Sequence, residues 1–289
     1  MKSRSVAKRA MQGLHHKSIL SRHIMIPKTK NLFLAVLSAA AAITLTSQCG
    51  AITIYGLAAG GQLVSFDTAN PSVFNNIGSA TTGGIVSIDF RGSNNQLYGM
   101  ASSGATSTIN TSTGALSTVF SSTSHTVSGG VSSFDFNPVA DRMRVVGAGT
   151  NNYRIVPDGI PGMTPGTVAM GATGGDGTFM TPASVTLLDV AYLNPFNNTP
   201  TGSTILYSVG SDGILYTHPG AGGPTFNMVS AVGSLGISIG SDIGFDIDST
   251  GTGWLVSGSS LYTVDLGTGL ATSAGPLGGA LTSIAVVPE

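Results

Sequence analysis

A short apolar segment built around an aspartate recurs through this chain, and that recurrence narrows the fold more than any other feature. It reads Val86-Ser-Ile-Asp-Phe90, Ser132-Ser-Phe-Asp-Phe136, Leu187-Leu-Asp-Val-Ala191 and Ile243-Gly-Phe-Asp-Ile247. A last copy, Thr282-Ser-Ile-Ala-Val286, lacks the acid. Asp89, Asp135, Asp189 and Asp246 are 46, 54 and 57 residues apart, and Ala285 follows 39 later. A second strand pattern follows most copies: Gln96–Gly99, Arg142–Val146, Ile205–Ser208 and Gly253–Val256. The third is Leu63–Asp67, Ser107–Asn110, Asn152–Ile155, Ile214–Thr217 and Ser260–Asp265, and a weak fourth ends near glycine, as in Leu270–Gly275. Four short strands in roughly 40–55 residues is the spacing of β-propeller blades.

The ends of the repeat region are complementary. Thr53–Leu57 reads as a second strand without a first, and Thr282–Val286 as a first strand without a second. Paired, they complete a fifth blade and close the ring, which removes the exposed edges of an open sheet. Five four-stranded blades are therefore expected, with the irregular stretch 157–184 as the place where a sixth could hide. Within segments such as Leu261–Leu266 the residue types alternate and favour Thr, Val, Ile and Tyr, as strands do. No convincing amphipathic helix follows residue 51. The expected class is all-β, one propeller domain over 52–289.

Charge is segregated along the chain. Eight of the 12 basic residues precede residue 31, whereas all 13 acids lie after residue 52, where only Arg91, Arg142, Arg144 and Arg154 oppose them. An acidic body with four cations is a poor binder of polyanions, so nucleic acid is not expected as a partner. Lys28 and Lys30 precede the apolar run Leu32–Leu45, which ends in Cys49-Gly-Ala51. A basic region, 14 apolar residues and a small-x-small end make a secretory signal peptide, too short to span a bilayer comfortably. Residues 1–51 are thus read as basic leader and signal peptide, with Met25 as the start of an ordinary-length leader. Cys49 is the single cysteine, and Gln48 before it fits lipoprotein processing poorly. A mature chain cleaved after Ala51 has no disulfide to rely on, so packing and strand pairing must hold it.

Candidate chemistry is sparse. Arg142 and Arg144 are two apart on one predicted strand and share a face, with Arg154 on the next strand and Asp141 close by. Arginine suits bidentate contact with carboxylate or phosphate, so these four residues are the candidate ligand-binding set, against simple ion pairing with the aspartates. Asp246-Ile-Asp-Ser-Thr-Gly251 resembles the start of a calcium loop and makes Asp246 and Asp248 weak metal candidates. The twelfth position of an EF-hand loop would need an acid, and Ser257 stands there. A turn closed by Asx hydrogen bonds is the simpler reading. Calcium is the one cofactor the sequence leaves open. The repeated aspartates are either a carboxylate ring able to hold a cation or acceptors for backbone N–H groups at strand ends, and recurrence favours the second. Gly236-Ile-Ser-Ile-Gly240 matches the nucleophile-elbow string, which requires a strand–turn–helix that the sequence does not offer. His125 and His218 are the histidines of the predicted mature chain.

Tyr55-Gly-Leu57 with Gln62–Pro71, Ile88-Asp-Phe-Arg91 with Gln96–Gly99, Phe134-Asp-Phe-Asn-Pro138 with Asp141-Arg-Met-Arg-Val-Val146, and Ser260–Asp265 with Thr268-Gly269 resemble a bacterial family catalogued as domain of unknown function 4394. The resemblance covers about residues 53–287. It implies a secreted, propeller-like protein and supplies no catalytic residues, since the family has no assigned activity. Relatives of this type continue from Val-Pro-Glu-Pro into a surface-sorting tail, whereas this chain ends at Val287-Pro-Glu289. The expected protein is a secreted, monomeric binding or structural module that contacts polysaccharide or a surface protein, without a membrane span after processing. The alternative is a propeller hydrolase or lyase acting on an extracellular sugar or lactone. An enzyme would gather ionisable groups with shifted pKa in one pocket.

Overall fold

The computed structural model describes residues 51–79, 84–169, 176–195, 203–219 and 226–288. The leader through Gly50, its Cys49 and the final Glu289 lie outside them. The described strands form five four-stranded antiparallel sheets arranged as a five-bladed β-propeller. The first blade contains β1 (Thr53–Ala58), β2 (Leu63–Asp67) and β3 (Asn75–Ile77). The second runs through β4 (Ile85–Arg91), β5 (Gln96–Ala101), β6 (Thr106–Ile109) and β7 (Leu116–Phe120). The third has β8 (Val131–Asn137), β9 (Arg142–Gly147), β10 (Asn151–Ile155) and the short β11 (Gly177–Thr178). The fourth has β12 (Leu187–Tyr192), β13 (Leu206–Gly210), β14 (Ile214–His218) and β15 (Ser230–Ser234). The fifth has β16 (Ile243–Ile247), β17 (Gly253–Ser257), β18 (Ser260–Val264) and β19 (Ala271–Pro276).

The last strand, β20 (Leu281–Val286), pairs antiparallel with β1 and becomes the innermost strand of the first blade. The first and last described strands therefore share one sheet, as their complementary patterns predict. The described part of 157–184 builds no sixth blade: Val168 bridges Ile155, and β11 pairs with β10 as the outer strand of the third.

Every inner strand carries apolar residues on both faces because a blade is sandwiched between two neighbours. The buried side chains fall into five clusters, one at each blade interface. The fifth blade shows how alternation serves this. Trp254, Val256 and Leu261 pack toward the first blade, while Phe245, Ile247, Leu255 and Val264 pack toward the fourth. Period-two alternation here separates two apolar neighbours rather than core from solvent. At the centre the strands approach closely: a Cβ on Gly244 would lie 2.7 Å from the Ile284 nitrogen, so only glycine fits there. Among the described residues no helix is long and apolar enough to cross a membrane.

Candidate functional site

The recurring aspartates lie on the innermost strands and are buried. Ser87 and Ser133 lie two residues before Asp89 and Asp135 on the same face, and Ser283 holds the same place on β20, whereas Asp189 itself stands at the serine position of its blade, with Ala191 where the others have aspartate. Together the serines and aspartates tie each blade to the next. The Ile88 N–H donates to Ser283 Oγ at 3.1 Å. The Phe134 and Phe136 N–H groups donate to Ser87 Oγ at 3.2 Å and Asp89 Oδ2 at 2.8 Å. The Val190 N–H donates to Ser133 Oγ at 3.2 Å, and the Tyr192 N–H reaches Asp135. The Phe245 N–H donates to Asp189 Oδ2 at 2.7 Å, and the Val286 N–H to Asp246 Oδ2 at 2.7 Å. The acids thus give otherwise unpaired inner-edge N–H groups a partner, which buried backbone requires.

Their electrostatics are unfavourable nonetheless. Burial, with repulsion from Asp246, raises Asp89 well above the usual carboxylate range. Burial, with Asp89 and Asp246 beside it, does the same to Asp135. Burial pushes Asp189 and Asp246 up to about 7.

The arginines organise the outer parts of the interfaces. Arg144 on β9 and Arg154 on β10 are directly paired across the ladder, so both face the fourth blade. They share Asp176: Arg144 Nη1 donates to Oδ2 at 2.7 Å and Arg154 Nε to the same oxygen at 2.6 Å. Arg144 is buried, donates to Asn152 Oδ1 at 2.7 Å and Tyr192 Oη at 3.2 Å, and lies over the Phe226 ring with its Cζ 4.6 Å from the centroid. Arg142 remains apart, donating to the Ala140 and Asp141 carbonyls and touching Met163 Sδ. Asp141 does not join this set. It forms a two-bond pair with Arg91, Nε to Oδ1 at 2.7 Å and Nη2 to Oδ2 at 2.6 Å. Arg91 also reaches Asp158, linking the second and third blades. The four candidate residues are thus divided: Asp141, with a left-handed backbone (φ 50°) at the β8–β9 turn, pairs with Arg91, Arg142 stands apart, and Arg144 and Arg154 share Asp176.

Between the third and fourth blades, beside Arg144, is a cavity of about 520 Å³. Its walls include Val139, Ile205, Leu206, Pro219, Phe226 and Tyr192, with Arg144 and His218 at its polar side. Arg144 and His218 bring polar groups to this interface, where the matching ladder positions of the second blade hold Tyr98 and Ile109. His218 Nε2 lies 2.9 Å from Ser208 Oγ, and its ring packs edge-on against Phe179 at 4.5 Å. Burial, with the Arg144 charge added, lowers His218 to about 3 despite a backbone contact at Phe226. The ring is neutral at ordinary pH. An unfolded histidine protonates near 6.5, so His218 favours the folded state above that pH and that advantage is lost as pH falls toward 3. Below pH 6 the unfolding free energy should drop by up to about 1.4 kcal/mol per unit from this group. Urea midpoints for His218→Gln should show a flatter acid limb than wild type; parallel limbs would remove histidine from the explanation.

Other sequence candidates have local roles. Asp248 Oδ1 accepts from the Thr250 and Thr252 N–H groups and the Thr250 hydroxyl, while Oδ2 accepts from Trp254 Nε1 at 2.9 Å. That is an Asx-type turn pinned to a tryptophan. Asp246, two residues earlier, points instead into the channel with Asp89 and Asp135. Ser238 of the Gly236–Gly240 string lies exposed in the loop leading to β16, with strand rather than helix after it. His125 stacks on Tyr153. Phe226, Tyr192 and Asp176 were not legible as site residues, since three separate chain segments bring them to Arg144.

Fold and site together define a five-bladed β-propeller with carboxylates along its channel and a cavity between its third and fourth blades. The chain belongs to the family of domain of unknown function DUF4394, whose model matches residues 62–285. No curated protein matches it. Among solved structures it resembles a symmetrical protein studied for its de novo evolutionary emergence, at 12% identity and TM-score 0.51, covering 82% of this chain and 100% of that one. A gluconolactonase from Xanthomonas campestris is similar at 14% identity and TM-score 0.47, covering 81% of this chain and 79% of that one. An auxiliary nutrient-binding protein from Bacteroides thetaiotaomicron gives 16% identity and TM-score 0.39, over 80% of this chain and 51% of that one. These likenesses concern the fold alone.

Proposed function

We propose that this protein is a secreted binding module and that the cavity between the third and fourth blades receives its ligand. The observation that carries the reading is the cavity itself. It has about 520 Å³ of space and mostly apolar walls, with Asn137, Arg144, Tyr192, Thr217 and His218 placed by strands and Arg144 held further by Asn152 and Asp176. Cavities of this size and lining are typical of small-molecule sites. Arg144 is already engaged by Asn152, Asp176 and Tyr192, so it shapes the wall rather than drawing in an anion. The fitting guest is a compact molecule with a CH-rich or apolar face, of the size of one or two sugar rings. The end of a polysaccharide chain meets that description. Secretion rests on the basic leader and apolar run before Ala51.

A binding role fits the chemistry better than hydrolysis. Ser208 and His218 bring a hydroxyl to an imidazole, but Ser208 is 0% exposed. A histidine held near 3 is a weak general base at neutral pH. The test uses the fluorescent probe 1-anilinonaphthalene-8-sulfonate, displaced by a panel of mono- and disaccharides. Ile205 lines the cavity and is partly exposed, so Ile205→Trp should fill the space without unfolding the protein. Wild type is expected to bind the probe and release it to a fitting sugar, and Ile205→Trp to lose at least tenfold in probe affinity. Equal binding by both proteins, or none by either, would sink the cavity as the ligand site.

A further inference from the structure

We propose that the central channel holds one hard divalent cation of calcium's size, gripped by Asp89, Asp135 and Asp246. The inference is independent of the inter-blade cavity. One carboxylate oxygen from each of these three residues lies within 4.8 Å of the other two. Oxygens that share a calcium ion at about 2.4 Å can be no more than about 4.8 Å apart, and these three meet that condition. The second observation is Asp135 Oδ1. Asp135 is 3% exposed, one carboxylate oxygen serves the Tyr192 N–H, and Oδ1 has no hydrogen-bond partner. A buried carboxylate oxygen without a partner carries a desolvation cost that an ion would remove.

Its neighbours sharpen the contrast. Asp189 has both oxygens engaged by the Phe245 and Val190 N–H groups, with the Ser133 hydroxyl added, and it stands outside the trio. Asp246 uses both oxygens on N–H groups, leaving further lone pairs free. Arg144 is opposite Asp135 in the ladder but directs its guanidinium outward to Asn152 and Asp176. No described arginine pairs with the trio, so its charge is unanswered within the described protein. An all-oxygen, all-carboxylate donor set favours calcium or magnesium over zinc or copper, and the spacing accommodates the larger ion. A second cavity of about 310 Å³ is lined by Ser132, Leu188, Ile243 and Thr282, at the starting ends of four inner strands. Asp135 and Asp246 sit three residues further along two of those strands, about 10 Å deeper.

The experiment compares wild type with Asp135→Asn, both stripped with EDTA and dialysed to pH 8. Equilibrium dialysis with radioactive calcium should count one ion per wild-type chain. Millimolar calcium chloride should raise the wild-type melting temperature by about 5 °C or more, and magnesium chloride by less. Asp135→Asn should show no calcium shift. In the stripped state it should melt at or above wild type, because the new amide can donate to Asp89 or Asp246 while the retained oxygen accepts from Tyr192. Asp265→Asn, at an exposed turn, should keep the shift. No bound calcium in wild type would overturn the proposal in favour of carboxyls that simply hold protons. A calcium shift undiminished in Asp135→Asn would overturn it as well. If Asp135→Asn fails to fold, the dialysis count on wild type still decides.

Discussion

A chain that stops at Ala280 is expected to lose cooperative unfolding altogether. The removed strand, β20, carries Leu281, Ile284 and Val286, all buried at the interface with the fifth blade, and Ala285 at the interface with the second. Three such side chains represent about 5–9 kcal/mol of burial, comparable to the whole stability of an ordinary domain. Losing β20 also exposes the inner edge of β1 and strips Asp246 and Ser283 from the sequence of blade-to-blade links. Unpaired edges of this kind promote aggregation. Calorimetry should find no sharp transition, and size exclusion should find oligomers. A single folded peak for the truncated chain would show that ring closure is dispensable.

The same geometry predicts a rescue. The Val287 N–H donates to the Thr53 carbonyl, so the end of β20 lies beside the start of β1. Moving residues 281–288 in front of Ile52 through a short turn should restore a cooperative transition, with the first blade now continuous in sequence.

Replacing Arg144 by methionine should cost about 2–5 kcal/mol, since two buried acceptors each lose a donor. Asn152 Oδ1 and the Tyr192 hydroxyl would each lose a partner, and Phe226 would lose the cation over its face. Asp176 would keep Arg154. Arg154→Ala is the matched control. It makes two hydrogen bonds with Asp176 to Arg144's one, but its side chain is 47% exposed, so the expected cost is under about 1 kcal/mol. Urea midpoints would separate the two, and equal effects would mean that burial does not set the value of these pairs. Because Arg144 walls the cavity, its replacement should also weaken probe binding, whereas Arg154→Ala should leave it unchanged.

The architecture was legible because a propeller writes the same supersecondary unit several times. Segments such as Leu63–Asp67, Gly253–Val256 and Ser260–Asp265 alternate regularly enough to be placed within a residue of their strands. The pairing of the two chain ends followed from counting strands, a property of sequence order alone. The candidate sites were less legible. Arg144 and Arg154 could be placed on one face from strand periodicity, and they are indeed ladder neighbours. Asp141 could not be assigned from proximity, because a left-handed turn residue sends it to Arg91 on another blade. His218 and Phe226 carry no local signal, since their meaning comes from packing against β9 and β12.

The sequence by itself determined the number of blades, the strand order and the closure of the ring, because these depend on local periodicity repeated along the chain. Only the tertiary structure decided which side chains share a space. That three of four repeated aspartates converge, while the fourth bonds Ser133 and Phe245, depends on ladder register: Asp189 stands where Ser87 and Ser133 stand in their blades, and Ala191 takes the aspartate's place. The repeat makes every blade locally alike, and the differences that create a cavity or an ion site arise where unlike blades meet.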